Sequence, residues 1–335
     1  MSTVAIDARD ARGPQLRGWG RYTLELVRAL RRRADVELLE LDEGGRGPEL
    51  AWEQLVLPRI LRREGVGLIH APNCFLPLRR PCPGVVTVHD LAFEEHPEDF
   101  ARLTGWKYRT FTPRCARSAE RVICVSEHTR RDVCERYGVD AERTTTIHSA
   151  PCLPVGREPP PPGPYLLAVG DLRAKKNLVR LVRAFARLHR DGLPHRLVLA
   201  GLDAGEGAAI GAAAGGAPVE LTGYVDDSRL DALMRGAALL VYPSLYEGFG
   251  LVVVEAMARG CPVAAARATA LPEAAGGAAA LFDPLEEEDI AARIREVLGD
   301  GELRAGMVER GRARAAELSW DRTAELTAAV YRELL

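Results

Sequence analysis

Long apolar runs are missing from this chain. No hydrophobic stretch approaches the ~20 residues that a transmembrane helix needs, so no membrane span is expected. The seven cysteines form no Cys-x-x-Cys pair and no cluster with histidine, which argues against a zinc site and favours reduced thiols. A formal net charge of −2 is too small for a dedicated nucleic-acid binder. Apolar strand residues begin directly after the first methionine, so we expect no signal peptide and a cytoplasmic protein.

Arginines cluster at the ends of two predicted helices, within residues 28–33 and 59–63. Cations at helix C-termini are favoured by the helix dipole and by solvent, which is the simpler interpretation. The same clusters leave open a weak peripheral contact with anionic lipid at the inner face of a membrane.

Strand-like and helix-like patterns alternate along the chain. The hydrophobic content of 47% and charged content of 27% are those of a globular protein, and 335 residues suffice for two domains. Short apolar runs followed by helical periodicity fill residues 4–147 and then residues 165–282. Such alternation predicts an α/β fold class with parallel sheets covered on both faces.

A proline-rich segment divides the two halves. Pro159–Pro162, followed by Gly163 and Pro164, can join neither a helix nor a central strand, so we expect a stiff linker. The predicted organisation is an N-terminal domain (1–155), a linker (156–164), a second domain (165–318) and a final helix (319–335), which Ser319 caps.

The most informative stretch runs from Tyr242 to Pro262. It reads as a buried strand, a loop with two glycines and a helix, with Glu247 and Glu255 eight positions apart. The glycines allow a sharp turn and close approach of a ligand, and the following helix N-terminus favours phosphate. Glu255 stands among apolar residues, so it is either paired in the core or reaches a polar ligand.

A second strand–loop–helix pattern follows Val169. Arg173, Lys175 and Lys176 precede a helix that we expect to begin near Asn177. Cations there oppose the helix dipole, and an anionic ligand would relieve the conflict. Because ligands of open α/β sheets bind at the carboxyl ends of strands, the loops after these strands are expected to surround one crevice.

The N-terminal half contributes two further motifs. Gly18 and Gly20 flank Trp19 in a predicted glycine loop, but they lie too far from the first strand, and lack the third glycine, to form a dinucleotide fingerprint. His89 and Asp90 follow the apolar run Val85–Val88, a position at which side chains face a ligand cleft.

Together these segments resemble the retaining glycosyltransferases of family 4, which have the GT-B fold. The motifs that carry the resemblance are Gly18-Trp-Gly20, Val88-His89-Asp90, the segment from Val125-Ser126, Gly170 to Asn177, Thr222-Gly-Tyr224, Glu247-x7-Glu255 and Ala270-Leu271-Pro-Glu273. They occur in the expected order over nearly the whole chain. The resemblance implies two Rossmann-like domains that face a central cleft, with the last helix crossing back onto the N-terminal domain.

The resemblance also implies an activity. A hexose-type sugar would pass from a UDP-, GDP- or dTDP-linked donor to a hydroxyl of a glycan, lipid-linked or small-molecule acceptor, with retention and with no dedicated protein base. No Asp-x-Asp motif is present, so we expect no catalytic metal and no cofactor beyond the nucleotide sugar. The implied catalytic residues are Lys176, Glu247, His89 and Arg173. The implied donor-binding residues are Gly18, Gly20, Gly170, Lys175, Asn177, Tyr224, Val225, Phe249, Gly250, Leu251 and Glu255.

Individual roles follow from the same resemblance. Glu247 would hold hydroxyls of the donor sugar, Glu255 would bind the ribose, and backbone groups at Tyr224 and Val225 would read the base. One departure concerns the position after Gly170, where family members often carry arginine and this chain has Asp171. A nucleotide-sugar epimerase of the same fold and a non-catalytic nucleotide-sugar binder are the alternatives.

Overall fold

The computed structural model describes residues 2–12, 16, 18–42 and 49–335. Two compact units are distinguished: unit 1 comprises residues 1–150 and 318–335, and unit 2 comprises residues 151–317. The predicted boundaries were an N-terminal domain ending at residue 155 and a final helix beginning at residue 319.

Unit 1 is built on a parallel sheet, six-stranded within the described residues, with the order β2-β1-β3-β4-β5-β6. Its strands are β1 (Thr3–Asp7), β2 (Glu37–Leu41), β3 (Leu68–Ala71), β4 (Gly84–Val88), β5 (Arg121–Cys124) and β6 (Thr144–Thr146). Strands β3 and β4 are buried throughout, as expected for parallel strands covered on both faces.

Helices connect these strands. They are α1 (Gly18–Arg31), α2 (Glu49–Ala51), α3 (Leu57–Arg63), α4 (Ala92–Glu95), α5 (Arg102–Ser118) and α6 (Glu127–Tyr137). A π-helical segment, Trp52–Val56, joins α2 to α3, and short 3-10 turns lie at Arg9–Arg12, Pro97–Asp99 and Ala141–Arg143.

Unit 2 repeats the plan with a second six-stranded parallel sheet, in the order β12-β11-β10-β7-β8-β9. The strands are β7 (Tyr165–Val169), β8 (Arg196–Ala200), β9 (Val219–Gly223), β10 (Leu239–Tyr242), β11 (Val263–Ala266) and β12 (Ala280–Phe282). The helices are α7 (Leu178–Arg190), α8 (Gly207–Ala214), α9 (Asp227–Gly236), α10 (Leu251–Ala258), α11 (Leu271–Ala275), α12 (Glu287–Gly299) and α13 (Gly301–Ala316), and a 3-10 turn spans Ala174–Lys176. The predicted α/β class with two parallel sheets is confirmed.

The strand order of unit 2 reverses between β7 and β10. The chain runs outward from β7 through β8 to β9, and then returns to place β10 on the other side of β7, with Leu239 opposite Leu166. Such a reversal leaves a crevice at the carboxyl ends of the two central strands. The loops that follow Val169 and Tyr242 therefore start side by side.

Polar side chains cap the first turns of three helices, including the cap that the sequence predicted at Ser319. Ser126 Oγ accepts from the Thr129 amide at 3.0 Å, and Ser319 Oγ accepts from the Arg322 amide at 3.1 Å. Asp226 Oδ1 caps α9 through the amide of Arg229 at 2.9 Å. Each cap satisfies an amide that has no partner within its own helix.

The last helix, α14 (Trp320–Arg332), belongs to unit 1. The hydroxyl of Tyr331 lies 2.6 Å from Nδ1 of His70, whose Nε2 lies 2.9 Å from Oγ1 of Thr87. These three side chains are buried. Thr323 adds a hydrogen bond from Oγ1 to the carbonyl of His148 at 2.8 Å. A polar chain as well as apolar packing thus joins α14 to the sheet.

Two buried histidines make unit 1 sensitive to acid. Burial, together with the nearby His89, lowers the pKa of His70 to about 3, and burial lowers the pKa of His89 to about 4. Both rings stay neutral in the folded chain, whereas in the unfolded chain they bind protons below about pH 6.5. Stability is therefore fully present above pH 6.5 and falls as the pH drops towards 4. At pH 5 each histidine should reduce the free energy of unfolding by about 2 kcal/mol.

Calorimetric unfolding between pH 7 and pH 5 measures this effect. His89→Phe removes one of the two titrating rings and should retain only about half of the histidine-dependent loss. An identical pH dependence in wild type and variant would contradict the assignment.

Candidate active site

Lys176 and Glu247 meet where the strand order of unit 2 reverses. Lys176 Nζ lies 2.5 Å from Oε1 of Glu247, and the two side chains are 15% and 14% exposed. Burial alone would raise the pKa of Glu247, but Lys176, Lys175 and the hydroxyl of Ser244 lower it to about 2. The carboxylate is therefore ionised at neutral pH. The two loops were predicted to share a crevice, and the structure brings these two side chains into contact.

Three donors converge on one oxygen of Glu247. Besides Lys176, the hydroxyl of Tyr242 donates to Oε1 at 2.9 Å and Oγ of Ser244 at 2.6 Å. Lys176 also donates to the Tyr242 hydroxyl at 2.8 Å. Burial and the charge of Glu247 raise the pKa of Tyr242 well above its usual value, so the hydroxyl keeps its proton. The amide of Glu247 donates to Oγ1 of Thr269 at 3.0 Å, which anchors the backbone at this point.

Thr269 has a backbone conformation that is rare for its type. Its φ of 48° is left-handed, although threonine is β-branched. Such strain costs on the order of 1–3 kcal/mol and tends to occur at ligand sites. No sequence pattern indicates a role for Thr269, because its contact with Glu247 crosses between two loops.

Gly170 makes room for the side chain of Lys176. A Cβ at Gly170 would lie 2.9 Å from Cε of Lys176, and the φ of 142° is itself unfavourable for other residues. The residue opposite, Gly201, is equally constrained, since a Cβ there would lie 2.0 Å from the carbonyl oxygen of Gly170. The predicted phosphate loop is thus shaped by glycines that admit the lysine.

Asn177 ties the loop after β7 to its neighbours. Its Nδ2 donates to the carbonyls of Pro243 at 3.2 Å and Pro284 at 2.7 Å, and its Oδ1 accepts from Arg180 at 2.7 Å. With φ of 55° it precedes α7, so the helix begins where the sequence predicted. The side chain is buried and engaged with protein, and a role in donor binding stays a prediction.

The two remaining cations lie in the same loop. Arg173 and Lys175 are both partly exposed. The carbonyl of Lys175 accepts from the amide of Leu245 at 2.8 Å, which adds a second tie between the loops after β7 and β10. The catalytic role of Arg173 and the donor-binding role of Lys175 stay predictions.

Helix α10 begins directly after the loop that carries Glu247. Gly250, with φ of 103°, directly precedes Leu251, and a Cβ on Gly250 would lie 2.7 Å from Cδ2 of Leu271. Phe249 is buried, with 5% of its surface exposed. The first amides and the positive end of the α10 dipole therefore lie within a few residues of Glu247, as a phosphate site requires. Direct contact of Phe249, Gly250 and Leu251 with a donor stays a prediction.

Glu255 is engaged at both carboxylate oxygens. Its Oε1 accepts from the amides of Cys152 at 2.5 Å and Leu153 at 2.7 Å, and its Oε2 accepts from Arg259 at 2.6 Å. Only 5% of the residue is exposed. These contacts match the interpretation of a paired core carboxylate, and binding of a ribose by Glu255 stays a prediction.

Asp231 extends this network. Its Oδ1 accepts from Nε of Arg259 at 3.1 Å, and its Oδ2 accepts from the amide of Gly156 at 3.0 Å. Sequence reasoning missed Asp231, although a carboxylate inside a predicted helix with apolar neighbours was a usable signal. It also missed Arg259, which stands four positions after Glu255, the spacing of a helical ion pair.

The predicted base-reading residues lie further along the sheet. Tyr224 and Val225 follow β9, which β8 separates from β7. Tyr224 is 42% exposed, and Val225 packs against the core of unit 2. Their contact with a nucleotide base stays a prediction.

In unit 1, the predicted glycine loop is wrong in its local structure. Gly18, Trp19 and Gly20 form the first turn of α1. A Cβ at Gly20 would lie 2.5 Å from the carbonyl oxygen of Asp10, so close packing against the preceding 3-10 turn requires glycine there. The glycine pair suggested a loop because the sequence does not reveal that packing. Donor binding by Gly18 and Gly20 stays a prediction.

His89 is fixed in one tautomer. Its Nε2 lies 2.8 Å from the carbonyl of Pro72, so Nε2 carries the proton and Nδ1 of the neutral ring is a hydrogen-bond acceptor. The ring of Trp19 stacks on it at 5.4 Å, and Tyr22 meets it edge-on at 4.7 Å. A neutral, oriented imidazole suits hydrogen bonding, and the catalytic role of His89 stays a prediction.

Two features are absent from the residues that the structure describes. Over residues 2–12, 16, 18–42 and 49–335, no three His, Cys, Asp or Glu side chains are grouped so as to hold a metal ion. No helix in these ranges is both long and apolar enough to cross a bilayer.

Two family models together match most of the chain. The family described as "Glycosyltransferase Family 4" matches residues 16–150, and "Glycosyl transferases group 1" matches residues 156–314. O-antigen chain mannosyltransferase B of Escherichia coli is 29% identical, over 95% of this chain and 97% of its own.

Solved structures show the same fold. A sucrose-phosphate synthase of Thermosynechococcus elongatus has a TM-score of 0.78 at 22% identity, over 100% of this chain and 99% of its own. HepE of Anabaena, in complex with UDP and glucose, has a TM-score of 0.74 at 19% identity, over 100% of both chains. The paired loops of unit 2, the two family matches and these GT-B structures lead to one conclusion: the chain belongs to the family 4 glycosyltransferases and has the GT-B fold.

Proposed function

We propose that this glycosyltransferase moves a hexose-type sugar from a nucleotide diphosphate sugar to an acceptor hydroxyl, with retention and without a metal ion. The contact that carries the proposal is the Lys176–Glu247 pair at the crevice between β7 and β10. A cation and a carboxylate placed together can serve the two ends of such a donor, the diphosphate and the sugar hydroxyls.

Lys176 can bind the diphosphate without releasing Glu247. An ammonium group has three N–H donors, and two of them reach Tyr242 and Glu247. The third is then available for a phosphate oxygen. With Arg173, Lys175 and the start of α10, it would stabilise negative charge on the leaving nucleoside diphosphate.

The reaction replaces a glycosyl–phosphate bond with a glycosidic bond. The bond between the anomeric carbon and the diphosphate oxygen breaks, and the acceptor oxygen bonds to the same carbon on the same face. The acceptor proton passes to the departing phosphate oxygen. Stabilising charge on the leaving group lowers the barrier, because the charge develops only in the transition state.

The comparisons support the substrate classes. UDP is bound in the HepE structure, which supports a nucleotide-linked donor for this chain. The Escherichia coli relative is a mannosyltransferase of O-antigen chains, which favours mannose as the sugar and a glycan hydroxyl as the acceptor. We propose that the enzyme acts in the cytoplasm. If its acceptor is lipid-linked, weak peripheral contact with the inner face of a membrane would bring the enzyme close to that acceptor.

A donor and acceptor panel tests the activity. The purified protein is incubated with UDP-glucose, GDP-mannose or dTDP-rhamnose, with and without a glycan extract, in the presence of EDTA. We expect release of the nucleoside diphosphate from one donor to depend on the extract and to survive EDTA. Equal release without an acceptor, or binding without any turnover, would contradict transfer and favour an epimerase or a binding protein.

Removing the lysine charge tests its role. Lys176→Ala should reduce turnover at least about 10²-fold, as for other preorganised stabilisers of a leaving group. Steady-state kinetics with the active donor measure the loss. Arg183→Ala, which removes an exposed cation of α7 that pairs with Glu287, is the matched control and should retain wild-type turnover. Near-normal turnover in Lys176→Ala would remove the lysine from the mechanism.

Glu255→Gln separates the two interpretations of that residue. Loss of charge beside Arg259, whose side chain is 7% exposed, should lower the free energy of unfolding by about 2 kcal/mol. If Glu255 also accepts from ribose hydroxyls, the variant should lose the preference of the wild type for UDP over 2′-deoxy-UDP, or for the corresponding pair of the preferred base.

Calorimetric unfolding and isothermal titration measure the two effects separately. Glu288→Gln, which breaks an exposed ion pair with Arg187, is the control and should lower the free energy of unfolding much less than Glu255→Gln does. An unchanged preference for the ribose hydroxyl in Glu255→Gln would leave Glu255 with a structural role alone.

A further inference from the structure

Tyr242 and Ser244 have no part in the chemistry described so far, yet both donate to Glu247. Their hydroxyl oxygens lie 2.9 Å and 2.6 Å from Oε1. Tyr242 is 2% exposed and Ser244 is 0% exposed. Together with Lys176 they occupy Oε1, whereas Oε2 accepts no hydrogen bond from the part of the chain that the structure describes. The two oxygens of this carboxylate are therefore in different situations.

The hydroxyl of Tyr242 lies between the two charged groups of the site. It accepts from Lys176 at 2.8 Å and donates to Glu247, and Nζ of Lys176 lies 5.0 Å from the centre of its ring. Tyr165, also a buried tyrosine of unit 2, instead donates to the backbone carbonyl of Leu233 at 2.8 Å. The hydroxyl of Tyr165 thus has a backbone partner that lies outside the proposed donor site. Tyr242 differs because both of its partners belong to the proposed donor site.

Three acceptors lie within reach of the hydroxyl of Ser244. Its Oγ lies 3.3 Å from the carbonyl of Lys175 and 3.4 Å from that of Tyr246, but only 2.6 Å from Oε1 of Glu247. A hydroxyl has a single proton to donate, and bonds to a charged acceptor are the shorter and stronger ones. The proton of Ser244 is thus directed to the carboxylate.

We propose that Tyr242 and Ser244 are positioning residues of the donor-sugar site. By holding Glu247 through Oε1, they present Oε2 as the single acceptor that faces the donor sugar. This inference rests on the proposed function. It has a consequence for specificity: the sugar position that meets Glu247 must carry a hydrogen-bond donor, as a neutral hexose hydroxyl does. A deoxy position would leave Oε2 without a partner, and a carboxylate would meet a like charge.

The experiment compares a ligand that contains the sugar with one that lacks it. Isothermal titration gives the Kd of the active nucleotide sugar and of its nucleoside diphosphate for wild type, Tyr242→Phe and Ser244→Ala. Each variant should weaken binding of the nucleotide sugar about 5- to 10-fold, since the misplaced carboxylate makes a poorer bond. Binding of the nucleoside diphosphate should change less than about twofold, because it has no sugar to meet Oε2. The donor KM should rise accordingly.

Two controls exclude a merely structural effect. Tyr165→Phe removes a buried tyrosine hydroxyl from the same unit and should leave the ratio of the two Kd values at its wild-type value. Ser244→Ala removes only one oxygen, so it carries the test if Tyr242→Phe does not fold. A donor that lacks the hydroxyl facing Glu247 should bind wild type more weakly than the parent donor does. This difference in Kd should shrink in Tyr242→Phe and in Ser244→Ala.

The outcomes distinguish failure of the positioning role from failure of the proposed function. If wild type binds and turns over a nucleotide sugar but the ratio of Kd values is unchanged in Ser244→Ala and in any folded Tyr242→Phe, the positioning role is wrong and the function stands. If both ligands weaken equally, the hydroxyls serve the fold and the positioning role is again wrong. If wild type binds no nucleotide sugar, both proposals are wrong.

Discussion

The ion pair of Lys176 and Glu247 is the contact on which the proposed site depends. A partly buried pair loses much of its attraction to desolvation, so it is weak support for a fold. The loops that carry it are already joined without it, by Asn177 to two backbone carbonyls and by the amide of Leu245 to the carbonyl of Lys175. Charge at this place is therefore better explained by a ligand than by stability. The crevice between β7 and β10 is also where an open α/β sheet binds its ligands.

The two glutamates of the motif are used in different ways. Within the described residues, the hydrogen bonds to the Glu247 carboxylate all reach one oxygen, whereas Glu255 has both oxygens in contact with protein. The donors to Oε1 of Glu255 are the amides of Cys152 and Leu153, at the very start of unit 2. A ribose hydroxyl can reach Glu255 only by sharing an oxygen with these donors or by displacing one. The two glutamates therefore lie in different environments, which their spacing in the sequence does not reveal.

Periodicity predicted most of the fold because interior parallel strands are nearly continuous apolar runs, as in Tyr165–Val169 and Leu239–Tyr242. The helix caps at Ser126 and Ser319 were also predictable, since a cap depends on residues only three positions away. Contacts across long separations were not. The amide of Cys152 meets a carboxylate 103 positions later, and no local pattern indicates it. Likewise Tyr242 read only as the end of a strand, because the pattern of a strand does not say which loop its last side chain meets.

The protonation states of the site favour a particular route for the acceptor proton. Attraction to lysines holds the pKa of Glu247 at about 2 in spite of burial, burial lowers that of His89 to about 4, and burial raises that of Tyr242 well above its usual value. A general base works best with a pKa near the operating pH, and each of these groups is displaced away from neutrality. They supply fixed charges and oriented hydrogen bonds instead of exchanging protons. The oxygen of the departing diphosphate, which gains negative charge as its bond to the sugar breaks, is then the base best placed to take the acceptor proton. This explains why fixed positive charge from Lys176, rather than a titrating side chain, is the feature that such a mechanism requires.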